Sequence, residues 1–428
     1  MNMGLLLLLA FFVLVIVGIP ISFAMGLAST LVLLTVFPKP LLLIPQQMIV
    51  GTNQFALFAI PFFIFIGVLM EKGNISKSLI DLATKFVGFI RGGLAMVTVL
   101  ASMFFGAISG SGPATVAAIG AITIPAMSKR GYSRVFATGI AAAAGTLGPI
   151  IPPSILMIVF GVVAQISITK LFLAGFGAGF LIGIVLMIIC YFRAVKENVP
   201  KAEKMASIKE IFVAIWKAKY VLGAPIIVLG GIYGGIFTPT EAGAIGSLYT
   251  LIIGLFFTRT MNLKIIMDSI LETAEISASI LFIMANATAF AWLMASGEVP
   301  QKVSAFILSI STNKIIILLL INILLLFVGC VIDGISAVII LVPVLLPIAV
   351  QLGLDLTHFG VIVVINLVIG FLTPPVGVNL YVATSISGLT FEETVRGVIP
   401  FLIGTILCLL VLTYIPVVSM FIPNLFFK

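Results

Sequence analysis

Charge is scarce in this sequence. Of 428 residues only 8% are charged, against roughly 25% in an ordinary soluble domain, which excludes a soluble globular protein. Histidine occurs once, at His358, and cysteine three times, at Cys190, Cys330 and Cys408. Three is an odd number and all three cysteines lie inside apolar runs, so they read as small core hydrophobes and neither a disulfide framework nor a metal site is implied. Also missing are a G-x-x-x-x-G-K-[ST] phosphate loop, an H-E-x-x-H zinc motif and a G-x-S-x-G nucleophile turn. The chain is therefore read as a non-enzyme without a cofactor. One histidine in a predicted loop leaves an intramembrane serine protease without a base. The formal charge is +8, but the basic residues flank apolar spans and form no basic face with interleaved aromatics, so no nucleic-acid partner is expected.

Apolar sequence is abundant: 62% of residues are hydrophobic. The runs are near-continuous and not alternating, which selects membrane-spanning helices of ~20 residues over a β-barrel. The first 37 residues carry no basic n-region and no small-residue cleavage site, so they read as transmembrane structure and not as a signal peptide. Spans fall near residues 4–17, 20–37, 53–71, 135–164, 171–192, 220–237, 241–258, 276–296, 360–388 and 398–425.

Two apolar segments resist that assignment. Residues 94–127 form a helix of about 51 Å if unbroken, far longer than the hydrocarbon core is thick. Their centre reads Gly106-Ala-Ile-Ser109-Gly110-Ser111-Gly112-Pro113, which interrupts a helix. Two half-length helices meeting at a tip, a re-entrant hairpin, fit better. Residues 315–349 behave alike, breaking at Gly329-Cys-Val-Ile-Asp333-Gly334. A repeat ties the two together: Ser111-Gly112 and Asp333-Gly334, Pro125 and Pro347, Gly148 and Gly370, and Pro152-Pro153 and Pro374-Pro375 all stand 222 residues apart.

Five crossings plus one hairpin per half is odd, so the second copy must be inverted. With residues 72–91 in the cytoplasm, 17 of the 22 Lys and Arg fall on that side, as the positive-inside rule requires. The expected organisation is a first repeat at 1–192, an amphipathic cytoplasmic linker helix at 193–219, and an inverted second repeat at 220–428. Segments 74–90 and 262–275 read as further surface helices. His358 reads as a solvated loop residue, and Thr238-Pro239-Thr-Glu241 as a helix capping box. Gly175, Gly179 and Gly183 read as close helix packing.

Non-helical backbone survives at membrane depth only inside protein or against a water-filled cavity. The four breaks, two tips and the stretches Gly145–Ser154 and Gly370–Asn379, therefore mark the candidate site. Free carbonyls there suit a hard cation, and helix N-termini suit an anion. The tips add the oxygens of Ser109, Ser111, Thr115, Asp333 and Ser336. Asp333 is the one acidic residue in either hairpin, and a carboxylate at that depth seeks a cation. With hydroxyls and carbonyls but few titratable groups, sodium suits the site better than protons.

At the tip Gly106-Ala-Ile-Ser-Gly-Ser-Gly-Pro-Ala-Thr115 and the breaks Gly148-Pro-Ile-Ile-Pro-Pro-Ser154 and Gly370-Phe-Leu-Thr-Pro-Pro-Val-Gly377, the sequence resembles the large membrane subunit of tripartite ATP-independent periplasmic (TRAP) transporters over essentially its full length. The resemblance implies a secondary transporter of a bacterial inner membrane with an elevator-type scaffold and transport domain. It implies sodium as coupling ion, a separate small four-helix membrane subunit, and a periplasmic binding protein that delivers an organic acid, sialic acid or a C4-dicarboxylate. Carried over, one sodium site uses Ser109, Ser111, Gly145, Gly148 and Pro149; the other uses Asp333, Ser336, Gly370, Thr373 and Pro374. The substrate lies near Ser111, Gly112, Ser154, Gly334, Thr373 and Asn379. The alternative is a stand-alone sodium-coupled dicarboxylate or inorganic-anion carrier without a binding protein; a passive channel fits less well, because conduction wants weak sites.

The inversion is open to test. In a variant lacking the native cysteines, a cysteine replacing Lys129 should react with a membrane-impermeant maleimide only after the inner face is opened, and one replacing Gln351 should react in intact cells. Labelling of both from the same side contradicts the inverted repeat.

Overall fold

Serine, threonine, aspartate and asparagine stand just before most helices, and their side-chain oxygens take up the first free backbone N–H groups. The computed structural model describes residues 3–73, 76–199, 205–311 and 313–427. Among these there are helices and no strands. In the first half they are α1 (Met3–Ile16), α2 (Ile21–Thr35), α3 (Leu43–Thr52), α4 (Ala59–Lys72), α5 (Ser76–Val87), α6 (Gly93–Ser109), α7 (Gly112–Thr115), α8 (Ala121–Lys129), α9 (Arg134–Gly145), α10 (Ile155–Ala164) and α11 (Ile168–Lys196). The second half follows with α12 (Ile208–Tyr233), α13 (Pro239–Ile252), α14 (Leu263–Ser296), α15 (Val299–Ile310), α16 (Lys314–Val331), α17 (Gly334–Gln351), α18 (Leu356–Gly370), α19 (Val378–Ser387), α20 (Phe391–Tyr414) and α21 (Pro416–Phe426).

The element order repeats. α9 and α18 begin 222 residues apart, and α10 and α19 begin 223 apart. Both hairpins form where the apolar runs are too long for one helix. α6 turns at Gly110, which has φ +60°, into α7, a π-turn at Val116–Gly120, and α8. α16 turns into α17. The capping boxes at Thr238/Glu241, Ser207/Glu210 and Thr390/Glu393 start α13, α12 and α20.

Three expectations differ from what is seen. The linker does not make a helix of its own: α11 runs on to Lys196, and from Ile208 the chain is already in α12, which continues through residue 219 into the next span. Residues 200–204 of the linker lie outside the described residues. Likewise residues 262–275 and 276–296 are one helix, α14, because no Gly or Pro interrupts Leu263–Ser296. Its wet end is tied down by the Lys72–Glu272 ion pair at 2.8 Å. His358 is not a loop residue: Asp355 caps α18, and the imidazole one turn into that helix is 2% exposed, with Nδ1 2.9 Å from Ser419 Oγ.

Packing relies on small residues, since lipid offers apolar side chains no reason to leave it. Gly175, Gly179 and Gly183 of α11 let Met157, Ile151 and Met103 press against the helix; an ideal Cβ at each falls 2.6–2.7 Å from those side chains. α9 crosses α20 so closely that a Cβ on Gly139 overlaps the backbone of Gly397. Helices α1–α4, α13 and α14 form one contiguous group, while the breaks lie in a second group built from the two hairpins, α9–α11 and α18–α20. Apolar side chains such as Ile16, Phe212 and Trp216 are left exposed around the outside, as a multi-pass membrane protein requires.

Gly139→Val should overpack the α9–α20 crossing and cost about 1–3 kcal/mol, read as an earlier melting transition in detergent. Gly230→Ala, where nothing lies within 4 Å of the new Cβ, should leave the transition unchanged or raise it. Equal melting of the two variants contradicts the backbone contact.

Candidate functional site

The tip and break of each half meet through a pair of glycines. In the first half an ideal Cβ on Gly106 falls 2.9 Å from Gly148 Cα, and in the second a Cβ on Gly370 overlaps the backbone of Gly329. Any side chain here separates α6 or α16 from the broken helix it rests on, so the two tips are positioned by backbone contact. Both breaks carry a cis Pro–Pro bond, at Pro152-Pro153 and Pro374-Pro375.

At the first tip, oxygens cluster. Ser109 Oγ is 3.2 Å from Thr115 Oγ1, and Thr115 Oγ1 donates to the Ser111 carbonyl at 2.6 Å. Ser109 Oγ is 3.5 Å from the same carbonyl. Gly148 closes the cluster from the break side: a Cβ there falls 2.6 Å from Thr115 Oγ1. Gly145, Gly148 and Pro149 are buried, as are Ser109 and Thr115, with Ser111 half-buried. Ser154 closes the break, its Oγ donating to the Pro149 carbonyl at 2.6 Å and accepting from Met157 N at 3.2 Å. Neutral oxygens packed this tightly can coordinate a small hard cation. Thr115, legible in the sequence as an oxygen of the tip, belongs to this cluster although the ligand set carried over from the family omits it.

The second half is built differently. Asp333 is exposed, and its Oδ1 accepts the N–H groups of Ile335 and Ser336 at 3.1 and 3.0 Å as the N-cap of α17. Its charge is thus met by a helix N-terminus. Thr373 Oγ1 donates back to the Ile369 carbonyl at 3.1 Å, and Pro374 is exposed. Ser336 Oγ is buried with no hydrogen-bond partner. Among the described residues, no three His, Cys, Asp or Glu side chains gather as a metal site.

Two residues join the halves. Asn379 Nδ2 donates to the Ala142 carbonyl at 3.2 Å, while its Oδ1, buried and without a partner, faces Gly112, where an ideal Cβ falls 2.9 Å away. The Phe371 ring stands between the two tips, 3.3 Å from a Cβ built on Gly112 and 3.2 Å from one built on Gly334. Ser111-Gly112, Gly334 and Asn379 thereby gather around the Phe371 ring, and Ser154 lies beside the first tip, its Cα 3.4 Å from a Cβ built on Gly110, while Thr373 bonds back into α18. Phe371 was not legible in the sequence, since its repeat counterpart is Pro149 and nothing in the local pattern sets it apart from core aromatics. Leu156 at the start of α10 touches the start of α17, 3.4 Å from a Cβ on Gly334, so the two helix starts, capped by Ser154 and Asp333, lie side by side here.

Comparison with known proteins shows the family. The sequence profile described as "Tripartite ATP-independent periplasmic transporter, DctM component" matches residues 8–418. The C4-dicarboxylate TRAP transporter large permease protein DctM of Pseudomonas aeruginosa is 39% identical over 94% of both chains. The isethionate TRAP transporter permease protein DctMQ of Oleidesulfovibrio alaskensis is 44% identical over 95% of this chain, which spans 64% of that longer relative. The sialic acid TRAP transporter large permease protein SiaM of Vibrio cholerae is 36% identical over 96% of each. Among solved structures, the Alcanivorax borkumensis YdaH transporter superposes with a TM-score of 0.61 at 18% identity, covering 96% of this chain and 98% of that one; MtrF of Neisseria gonorrhoeae gives 0.60 at 13%, covering 89% and 84%. These two share the fold.

Ser154→Ala removes both the donor to Pro149 and the cap of α10 and should cost about 1–2 kcal/mol of stability. Ser385→Ala, on an exposed turn of α19, should change it by no more than about 0.5 kcal/mol. Thermal unfolding in detergent measures both.

Proposed function

This chain belongs to the DctM family, the large permease component of tripartite ATP-independent periplasmic transporters, and is a multi-pass inner-membrane protein; we propose that it imports an organic acid by sodium symport. The observation that carries the coupling ion is the buried cluster of Ser109 Oγ, Ser111 O and Thr115 Oγ1, sealed by the Gly145–Pro149 break. Neutral oxygens with no carboxylate suit a monovalent ion better than a divalent one. The second cation position, at Asp333, Ser336, Gly370, Thr373 and Pro374, is supported by the partnerless Ser336 hydroxyl. The organic acid binds beside Ser111, Gly112, Ser154, Gly334, Phe371 and Asn379, where the two tips approach each other across the Phe371 ring. Relatives carry isethionate, C4-dicarboxylate and sialic acid in their names, all organic anions, so the class is the proposal and a C4-dicarboxylate or sialic acid its member.

Substrate reaches the chain from a periplasmic binding protein, and a small four-helix membrane subunit covers part of the exposed apolar surface. The two helix groups suggest the motion: the hairpin group slides as one body against α1–α4, α13 and α14, carrying the site across the membrane in an elevator cycle. A cation at the first tip ties α6, α7 and the Gly148 break together, so that the region beside Gly112 is ordered before the anion arrives.

Proteoliposomes under a sodium gradient test the reading. Uptake should require the binding protein, the small subunit and this chain together; uptake by this chain alone overturns it in favour of a stand-alone carrier, and gradient-independent flux in favour of a channel. Ser109→Ala should raise the half-saturating sodium concentration about tenfold, the equivalent of ~1.4 kcal/mol and within the range of a hydrogen bond to a charged group. Asp333→Asn keeps the helix cap, because Asn caps as well as Asp, and should raise it severalfold. An unchanged sodium requirement removes Asp333 from the site.

A further inference from the structure

Away from the breaks, α5, the first four turns of α12 and the stretch at Thr258 and Thr260 line an open cavity of about 760 Å³ on the face that the charge bias assigns to the cytoplasm. Lys77 and Lys85 of α5 and Lys209 and Lys217 of α12 line it, against the carboxylates of Asp81 and Glu210. Glu210 is committed locally, accepting from Ser207 N at 2.7 Å and pairing with Lys85 at 3.7 Å. The lining therefore carries net positive charge. Its floor is apolar, made by Val213, Ala214 and Val221.

A second cavity of about 400 Å³ lies beyond a thin apolar wall, lined by Phe86, Leu100, Met103, Phe104, Phe176 and Phe180. The two share one wall. Ala214 of the first cavity clusters with Leu82 and Ala218, and Phe104 of the second packs on that same cluster. On α5, consecutive residues divide between them, Lys85 facing the charged cavity and Phe86 the apolar one. Beside them, Ile208, Phe212 and Trp216 leave an apolar stripe exposed on α12, and Lys219 Nζ lies 3.4 Å from the centre of the Trp216 ring. A Trp–Lys pair of this kind belongs at the membrane–water border.

A cationic cavity beside an apolar one at that border matches a single ligand chemistry, a phosphoryl head with a hydrocarbon tail. We infer that these cavities hold one anionic phospholipid of the cytoplasmic leaflet, its phosphate among Lys77, Lys85, Lys209 and Lys217 and one acyl chain among Phe86, Phe104, Phe176 and Phe180. The site is independent of the sodium and substrate positions. Because α5 joins α4 to the first hairpin, a lipid bridging α5 to α12 fastens that connection to the membrane surface.

The test is native mass spectrometry of the full chain released from nanodiscs of phosphatidylcholine with phosphatidylglycerol. The wild-type chain should retain one phosphatidylglycerol and no phosphatidylcholine. K77Q/K209Q/K217Q, which spares the Lys85–Glu210 pair, should retain at least about tenfold less, since each lysine near anionic lipid adds to its attraction. K77R/K209R/K217R should restore it, and K196Q/K264Q, on the same face but outside the cavity, should not change it. Leu100→Trp, which fills the apolar cavity, should also lower retention. Equal retention of the two lipids, or of phosphatidylglycerol by the wild-type and triple-glutamine chains, overturns the proposal. Insensitivity to Leu100→Trp together with release by millimolar glycerol phosphate reassigns the cavity to a soluble anion.

Discussion

In hydrocarbon an unpaired backbone N–H or C=O costs several kcal/mol, and this chain interrupts its backbone at four places inside the membrane-spanning bundle. Everything around the candidate site answers to that constraint. Ser154 Oγ takes the Pro149 carbonyl, Val376 N reaches across to the Cys330 carbonyl, and Asn379 serves the Phe371 carbonyl with its main chain and the Ala142 carbonyl with its side chain. The glycine pairs bring tip and break within backbone contact, so that these short bonds can form. Near the breaks two buried atoms, Ser336 Oγ and Asn379 Oδ1, are left without a partner.

The two halves satisfy the constraint unequally. In the first the break is sealed and neutral; in the second Asp333 and Pro374 to Val376 are exposed. The core diverges in the same sense. Phe136, Leu100 and Ala144 have His358, Asn322 and Asn366 as repeat counterparts. Those three are buried and bonded: His358 to Ser419, Asn366 to Asn322 at 2.8 Å, and Asn322 to Thr413 at 3.0 Å. Since the first copy folds with apolar residues there, the polar set serves register between α16, α18, α20 and α21 and not helix formation as such. A buried polar pair that fits one alignment only is a device for specifying it.

Much of the architecture was legible because membrane helices are written in local terms. Run length, Gly and Pro punctuation and capping residues placed both hairpins within two residues of where they lie, and Thr238/Glu241 was readable as a box because capping is a contact across three residues. Boundaries set by continuity were harder. α12 and α14 absorb what composition marks as separate surface segments, because charge ends a hydrophobic run without ending a helix. His358 was misplaced for a related reason: its nearest sequence neighbours are polar, but its environment is made by Ser419, sixty-one residues away.

By itself the sequence determined that the chain spans a membrane as helices, that its order of elements repeats, and where its backbone must break. Each of these depends on residues close together or on a fixed offset between copies. Only the tertiary structure decided what meets at the breaks: that Gly148 closes on Thr115 at the first oxygen cluster, that Asp333 caps a helix at an exposed tip, and that Phe371 and Asn379 stand between the halves. Those contacts join residues up to 237 apart in sequence, and no local pattern records them, because they arise from how two hairpins with glycine-thin backbones are brought against the same pair of broken helices.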